Sequence, residues 1–219
     1  MDKASQSAAQ TLRKQFQAIP KDRRDANQAF SIRVWRGLSW LERAEGLQDI
    51  EGKFISLWIA FNAIYGHLQD DGMNASDRGS WQEFLAGIVK ADTEDQLGQI
   101  MWADQRNILR LVDNKYLFRP FWLGQADAED KLARSRRQVM VLLQQRSAVG
   151  VFQALFERLY VLRQQVFHGA ATWGSKLNRP YLKSGTALLE RIIPAMIDII
   201  IAAGPGVDWG ALCFPPVNC

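Results

Sequence analysis

The sequence predicts an all-α protein, a multi-helix and largely antiparallel bundle, on three observations. Apolar residues recur at helical spacing along most of the chain. No run of strictly alternating apolar residues is bounded by hairpin turns. The stretch FISLWIAFNAIY, Phe54 to Tyr65, is apolar nearly all round, the pattern of an enclosed central helix. The bulk numbers agree: 219 residues, 47% hydrophobic and 23% charged, suffice for a packed core and argue against wholesale disorder.

A first helix is expected from Ala4 to Ala18, stopping before Pro20, with the polar stretch Lys21 to Asn27 as a link. Phe30, Val34, Leu38 and Leu41 then mark an amphipathic helix ending near Gly46. The central helix covers Ile50 to Leu68. Within it Asn62 is polar among apolar neighbours, so it either bridges helices or belongs to a site, because a buried amide without partners costs about 1–3 kcal/mol. Gln69 to Gly79 reads as a loop, Ser80 as the N-cap of a helix through Lys90, and Thr93 with Gln96 as a capping box opening a helix towards Leu111. The aromatic stretch YLFRPFWLG, Tyr116 to Gly124, is either a buried crossover or an exposed contact patch, and the crossover is preferred. A charged helix follows from Ala126 to Gln145, then a helix from Val149 to Phe167. Gly169 to Lys183 has no convincing period, and loops of that length are often functional. A last apolar helix runs from Thr186 to Ala203 with a bend expected at Pro194. The organisation is thus an N-terminal extension (1–25), a helical domain (26–203) and an irregular tail (204–219).

The net charge of +4 mildly favours phosphate-bearing partners. The charge is scattered, and the clusters Arg13, Lys14, Lys21, Arg23, Arg24 and Lys131, Arg134, Arg136, Arg137 read first as solvated helix faces. Two cysteines, Cys213 and Cys219, make neither a four-ligand metal pattern nor a disulfide framework, and no metal or cofactor is expected. The N-terminus lacks an apolar leader segment, and the longest apolar stretch, Ile192 to Ala203, is short of the roughly 20 residues a membrane span needs. A soluble, cytoplasmic protein without membrane contact is therefore expected.

The chemistry concentrates on RQQVFHG, Arg163 to Gly169. Projected at about 100° per residue, Phe152, Leu155, Phe156, Leu159 and Val166 form an apolar stripe, and Arg163 lands near its middle. A guanidinium there needs a carboxylate, carbonyls or a bound phosphate. His168 suits a helix C-terminus before a terminating Gly169, yet on an ideal helix it sits about 140° from Arg163. The two meet only if the helix tightens or a second subunit completes the site. In the following loop Lys176, Arg179 and Lys183 are candidates for phosphate contacts and Trp173 for stacking on an unpaired base; solubility and packing account for these four equally well.

The segment LYVLRQQVFHGAATW resembles the motif of HEPN domains, in which an arginine, a few residues and a histidine close a bundle helix. The earlier SIRVWRGLSWLERAEG…FISLWIAFNAIYG is similar to the N-terminal helix pair of bacterial HEPN-like proteins. The resemblance implies a metal-independent endoribonuclease, acting as a homodimer, with Arg163 on the scissile phosphate and His168 as acid or base. Many such domains are toxins or defence effectors, which implies RNA or nucleotide as ligand and an antitoxin or other protein as a further partner. The chain departs at Gln164, where active members usually carry Asn, Asp or His. The alternative is a non-catalytic HEPN-like module binding RNA, nucleotide or a protein. His67, the second histidine, follows a different helix, so an acid and a base together call for two copies of His168.

Overall fold

A computed structural model describes residues 7–66, 77–170, 172–176, 178–212 and 214, with the side chains of 77–80 excepted. His67, Cys213, Cys219 and most of the Gln69 to Gly79 loop lie outside them. Among the described residues the chain forms eleven α-helices and no strand: α1 (Ala8–Ala18), α2 (Lys21–Ala26), α3 (Gln28–Gly46), α4 (Ile50–Tyr65), α5 (Asp77–Ala91), α6 (Gln96–Ala103), α7 (Gln105–Val112), α8 (Arg119–Trp122), α9 (Ala128–Gln144), α10 (Ala148–Phe167) and α11 (Arg179–Ala203). A 3-10 turn, Lys115–Leu117, precedes α8. No described helix is long and apolar enough to cross a membrane.

The α4 helix is the expected enclosed element. Asp49 caps it, accepting from the Gly52 N–H at 2.6 Å, and Phe54, Leu57, Phe61 and Ile64 are fully buried. The three-residue link after α3 folds α3 back along α4. Gly37 of α3 makes that approach feasible, because a Cβ there would stand 2.7 Å from Ile64 Cγ2. The α11 helix packs on both α3 and α4 and supplies Leu188, Ile192, Ile193, Met196, Ile197 and Ile200, all fully buried. An aromatic cluster continues the core from α4 into α10, with ring centroids 4.5 Å apart for Phe61 and Phe156 and 6.2 Å for Trp58 and Tyr160.

The α4 C-terminus carries an unusual cap. Arg33, 1% exposed, donates from Nη1 to the carbonyls of Ile64 (2.7 Å) and Gly66 (3.2 Å) and from Nη2 to that of Gly210 (2.7 Å). The first two are carbonyls at the end of α4, which have no partner within the helix, and the third belongs to the segment after α11. Burial lowers its guanidinium pKa to about 10 against the opposing pull of Asp208, so it stays charged at neutral pH.

Several boundaries differ from expectation for local reasons. Lys21 to Ala26 is helical rather than a link: Pro20 presets the entry, and Asn27 then caps α3 through the Phe30 N–H (2.9 Å). The 77–79 end of the expected loop already belongs to α5, so Ser80 does not start that helix. The Thr93 and Gln96 capping box is not formed; the Asp92 carboxylate accepts from Gln96 N (2.9 Å) and Leu97 N (2.8 Å) instead. The helix expected to reach Leu111 breaks into α6 and α7 at Asp104, whose carboxylate pairs with Arg191. The α11 helix starts at Arg179, well before Thr186, because Pro180 suits a first helical turn. Pro194 lies inside α11 without ending it.

The N-terminal and C-terminal segments join the same core. Ala9, Leu12 and Phe16 of α1 are buried in it. After α11, Trp209 packs on Phe84 at 5.9 Å between centroids, and Arg33 holds Gly210.

Candidate functional site

The α10 helix positions Arg163, Gln164 and, at its C-cap, His168, so its register decides where these three point. The buried side is carried by Val151, Leu155 and Leu162 together with Phe152, Phe156 and Leu159. The spacing Val151, Leu155, Arg158, Leu162, Gln165 runs along that side, and both polar members are buried: Arg158 at 2% and Gln165 at 9% exposure. Arg163 falls at the edge of the stripe and is only partly buried. The buried arginine of this helix is therefore Arg158, which the sequence reading passed over although its four-three spacing marks it.

Arg158 is engaged by structure. Its Nε donates to the Val112 carbonyl (3.3 Å), its Nη2 to Ser135 Oγ (2.9 Å), and its guanidinium lies 4.5 Å from the Phe118 ring centroid. It thereby ties α7, α9 and the turn before α8 to α10.

Arg163 is different. Its guanidinium stands over the Phe167 ring at 4.4 Å and Nη1 reaches Gln164 Oε1 at the long distance of 3.4 Å. Its Nε is buried without an acceptor, and no carboxylate pairs with it among the described residues. His168 forms the C-cap, exposed, with its backbone N–H donating to the Gln164 carbonyl at 3.0 Å. Gly169 follows at φ +68°, the left-handed conformation that ends helices. The α-helical register is thus kept as far as His168, and within one chain the Arg163 and His168 side chains leave α10 about 140° apart.

The other candidates separate further. Trp173 is 77% exposed, and Lys176 and Lys183 are exposed. Arg179 is held by Glu51 at 2.8 Å; the same carboxylate oxygen accepts from the Gly174 N–H at 3.1 Å, so this arginine braces the loop. Asn62 is partly buried with Oδ1 lacking a donor among the described residues. It sits in the last turns of α4, about 16 Å along the helix from Glu51 and therefore at the other end from the Trp173 loop.

The open side of α10 carries a groove the sequence reading did not identify. Glu157, Tyr160, Val161 and Gln164 face α8 and the residues beside it across two adjoining cavities. One is about 570 Å³, reaching down to Trp81 and Arg158; the other is about 470 Å³, reaching Gln164 and Ala170. Arg119, Leu123, Tyr160 and Val161 line both, so the two make one continuous trough. His168, one turn beyond Gln164, shares that face of the helix. The YLFRPFWLG stretch forms the far wall and is split rather than a buried crossover throughout. Leu117 and Phe118 are buried, whereas Tyr116, Trp122 and Leu123 are 43%, 58% and 58% exposed. Gln165 fastens this wall, donating to the Tyr116 carbonyl at 2.7 Å and accepting from Asn178 Nδ2 at 3.2 Å. The aromatic run between turn-forming Asn114 and Pro120 was the available signal for it.

Among the described residues no group of His, Cys, Asp and Glu is placed to hold a metal ion. No family model, curated protein or solved structure matches the chain.

Proposed function

We propose that this chain is an RNA-cleaving protein of the HEPN type, acting as a homodimer in which Arg163 of each copy joins His168 of the other. The observation that supports the reading best is the state of Arg163: a partly buried guanidinium on the helix that ends at an exposed histidine, with no carboxylate to neutralise it among the described residues. A cation kept free of carboxylates at a solvent-reachable helix end suits a phosphate. The divergence of the two side chains within one chain is the reason for the second copy. A two-fold axis near the end of α10 supplies two histidines and two arginines to one cleft.

The chemistry is then metal-independent transesterification. One His168 takes the proton from the ribose 2′-hydroxyl, whose oxygen attacks phosphorus; the P–O5′ bond breaks, giving a 2′,3′-cyclic phosphate. His168 of the partner subunit protonates the departing 5′-oxygen, and the two Arg163 side chains stabilise the charge on the non-bridging oxygens. Trp173, Lys176 and Lys183, all exposed, would serve as further contacts to the RNA strand. A toxin or defence role, a cytoplasmic setting and an antitoxin partner belong to the same proposal.

Gel-based RNA cleavage in EDTA tests it. Wild type cuts, while Arg163→Ala and His168→Ala lose at least about 100-fold. Equal cutting by all three removes the site, and full activity in a strict monomer by sedimentation removes the shared cleft. The second reading, a non-catalytic module that binds RNA or nucleotide, is favoured by Gln164 and by the same side-chain divergence. Its mark is RNA binding by a folded protein that leaves the RNA intact.

A further inference from the structure

A third cavity, of about 650 Å³, lies between α9 and residues 113–121, and falls within the range of small-molecule sites, about 300–1,000 Å³. Along α9 it is lined by Leu132, Ala133, Arg136, Arg137 and Met140, whose spacing puts them on one face of the helix. Phe118 and Phe121 line it from the other side. Leu132 and Ala133 stand one turn, about 6 Å, before Arg136 and Arg137, so apolar surface and cations follow each other along the face. Lys115 joins the cations, with its Nζ 5.5 Å from the Phe121 ring centroid. Arg136 Nε is engaged by Asp113 at 3.2 Å, whereas Lys115 and Arg137, both exposed, have no ion pair among the described residues. The lining sets Lys115, Arg136 and Arg137 against Asp113 and Glu129, three cations to two carboxylates, which leaves one positive charge over. Glu129 lies about two turns from Arg136 and Arg137, at the other end of the face.

Surplus positive charge repels a cation, and a compact inorganic anion would leave Phe118, Phe121, Leu132 and Met140 uncovered. An apolar body carrying a single carboxylate answers both conditions. The one-turn step from Leu132 to Arg136 limits that body to about 6 Å, the length of one or two fused rings. We infer that the cavity between α9 and residues 113–121 binds a small aromatic carboxylic acid, its rings beside Phe118, Phe121 and Leu132 and its carboxylate on Lys115 and Arg137. The cavity shares no residue with Arg163, Gln164 and His168, so the inference stands apart from the cleavage reading. Phe118 also carries the Arg158 guanidinium at 4.5 Å, and Arg158 fastens α7 and α9 to α10. An occupant therefore bears on that junction and stabilises the folded chain.

The experiment titrates the full chain with 2-naphthoate, its uncharged amide and the cation 2-naphthylmethylammonium, read by calorimetry and by the thermal melting point. Expected is saturable binding of 2-naphthoate that raises the melting point, weaker binding of the amide and none of the cation. Lys115→Gln and Arg137→Gln each weaken 2-naphthoate about 10-fold, the worth of one charged hydrogen bond, and leave the amide unchanged. Ala133→Trp, at an exposed position on the lining, fills the cavity and abolishes binding of both; if that variant fails to fold, the two charge variants decide. Arg163→Ala and His168→Ala bind 2-naphthoate as wild type does, whatever becomes of RNA cleavage. The inference is overturned if 2-naphthoate does not bind, if the amide binds equally well, or if neither the charge variants nor a folded Ala133→Trp alters binding. It is overturned as well if Ala133→Trp changes sedimentation while leaving 2-naphthoate bound, since the cavity would then seat a protein.

Discussion

Two helices of this bundle end in opposite ways. At the end of α4 a buried arginine, Arg33, reaches three backbone carbonyls and closes the terminus against the C-terminal segment. At the end of α10 the chain stops on an exposed histidine and a left-handed glycine, and the nearby Arg163 spends its guanidinium on an aromatic ring and an amide rather than on the helix end. The first terminus is complete in itself. The second leaves Arg163 Nε without an acceptor among the described residues, and the difference separates an arginine that holds the fold from the one the proposed cleft would use.

The sharpest way to break this contrast is to remove the closed end. Arg33→Met leaves buried carbonyls without donors and is expected to cost about 3–5 kcal/mol, read as a fall in the chemical denaturation midpoint. Arg158→Met keeps the buried stem but loses the bonds to Val112 and Ser135, the contact with Phe118 and the pairing with Glu157, for about 2–3 kcal/mol by the same measurement. Arg163→Ala forfeits mainly a ring contact and stays within about 1 kcal/mol of wild type. His168→Ala, at an exposed position, moves stability by less than about 0.5 kcal/mol. Under the proposed function the order inverts for RNA cleavage, with the losses expected at His168 and Arg163. A large destabilisation by Arg163→Ala would move that residue into the same class as Arg33 and erase the comparison.

What was legible in the sequence follows from what each residue's surroundings require. The run from Phe54 to Tyr65 could only be a helix enclosed by others, and it is. Phe30, Val34, Leu38 and Leu41 are all buried on α3 as their spacing demands. Short polar segments were harder. Lys21 to Ala26 carries no apolar stripe, and it is helical because Pro20 and Asn27 frame it. Asp92 took over a cap assigned to Thr93 because its carboxylate reaches two N–H groups at once. In the candidate site, Val166 packs on the core with Phe152, Leu155, Phe156 and Leu159; the buried arc also takes in Val151 and Leu162, so that it widens towards Arg158 and leaves Arg163 near its other edge. The trough with Trp81, Arg119 and Tyr160 joins three separate stretches of chain, and no local spacing announces such a meeting.

The position of α11 has a consequence for how the molecule comes to be folded. This helix supplies one whole wall of the core and touches α1, α3, α4, α5, α6 and α7, yet it comes after all of them in the chain. Until it emerges, α4 has an apolar flank with nothing against it, so the earlier helices leave the ribosome as an unfinished, adhesive assembly. Pairings between the first and last helices also close a very long loop, which slows folding relative to bundles built from neighbours. Synthesis of this protein therefore has a vulnerable interval that ends only when Leu188 to Ile200 arrive, and damage to that late segment should be felt as aggregation during expression before it is felt as lost activity.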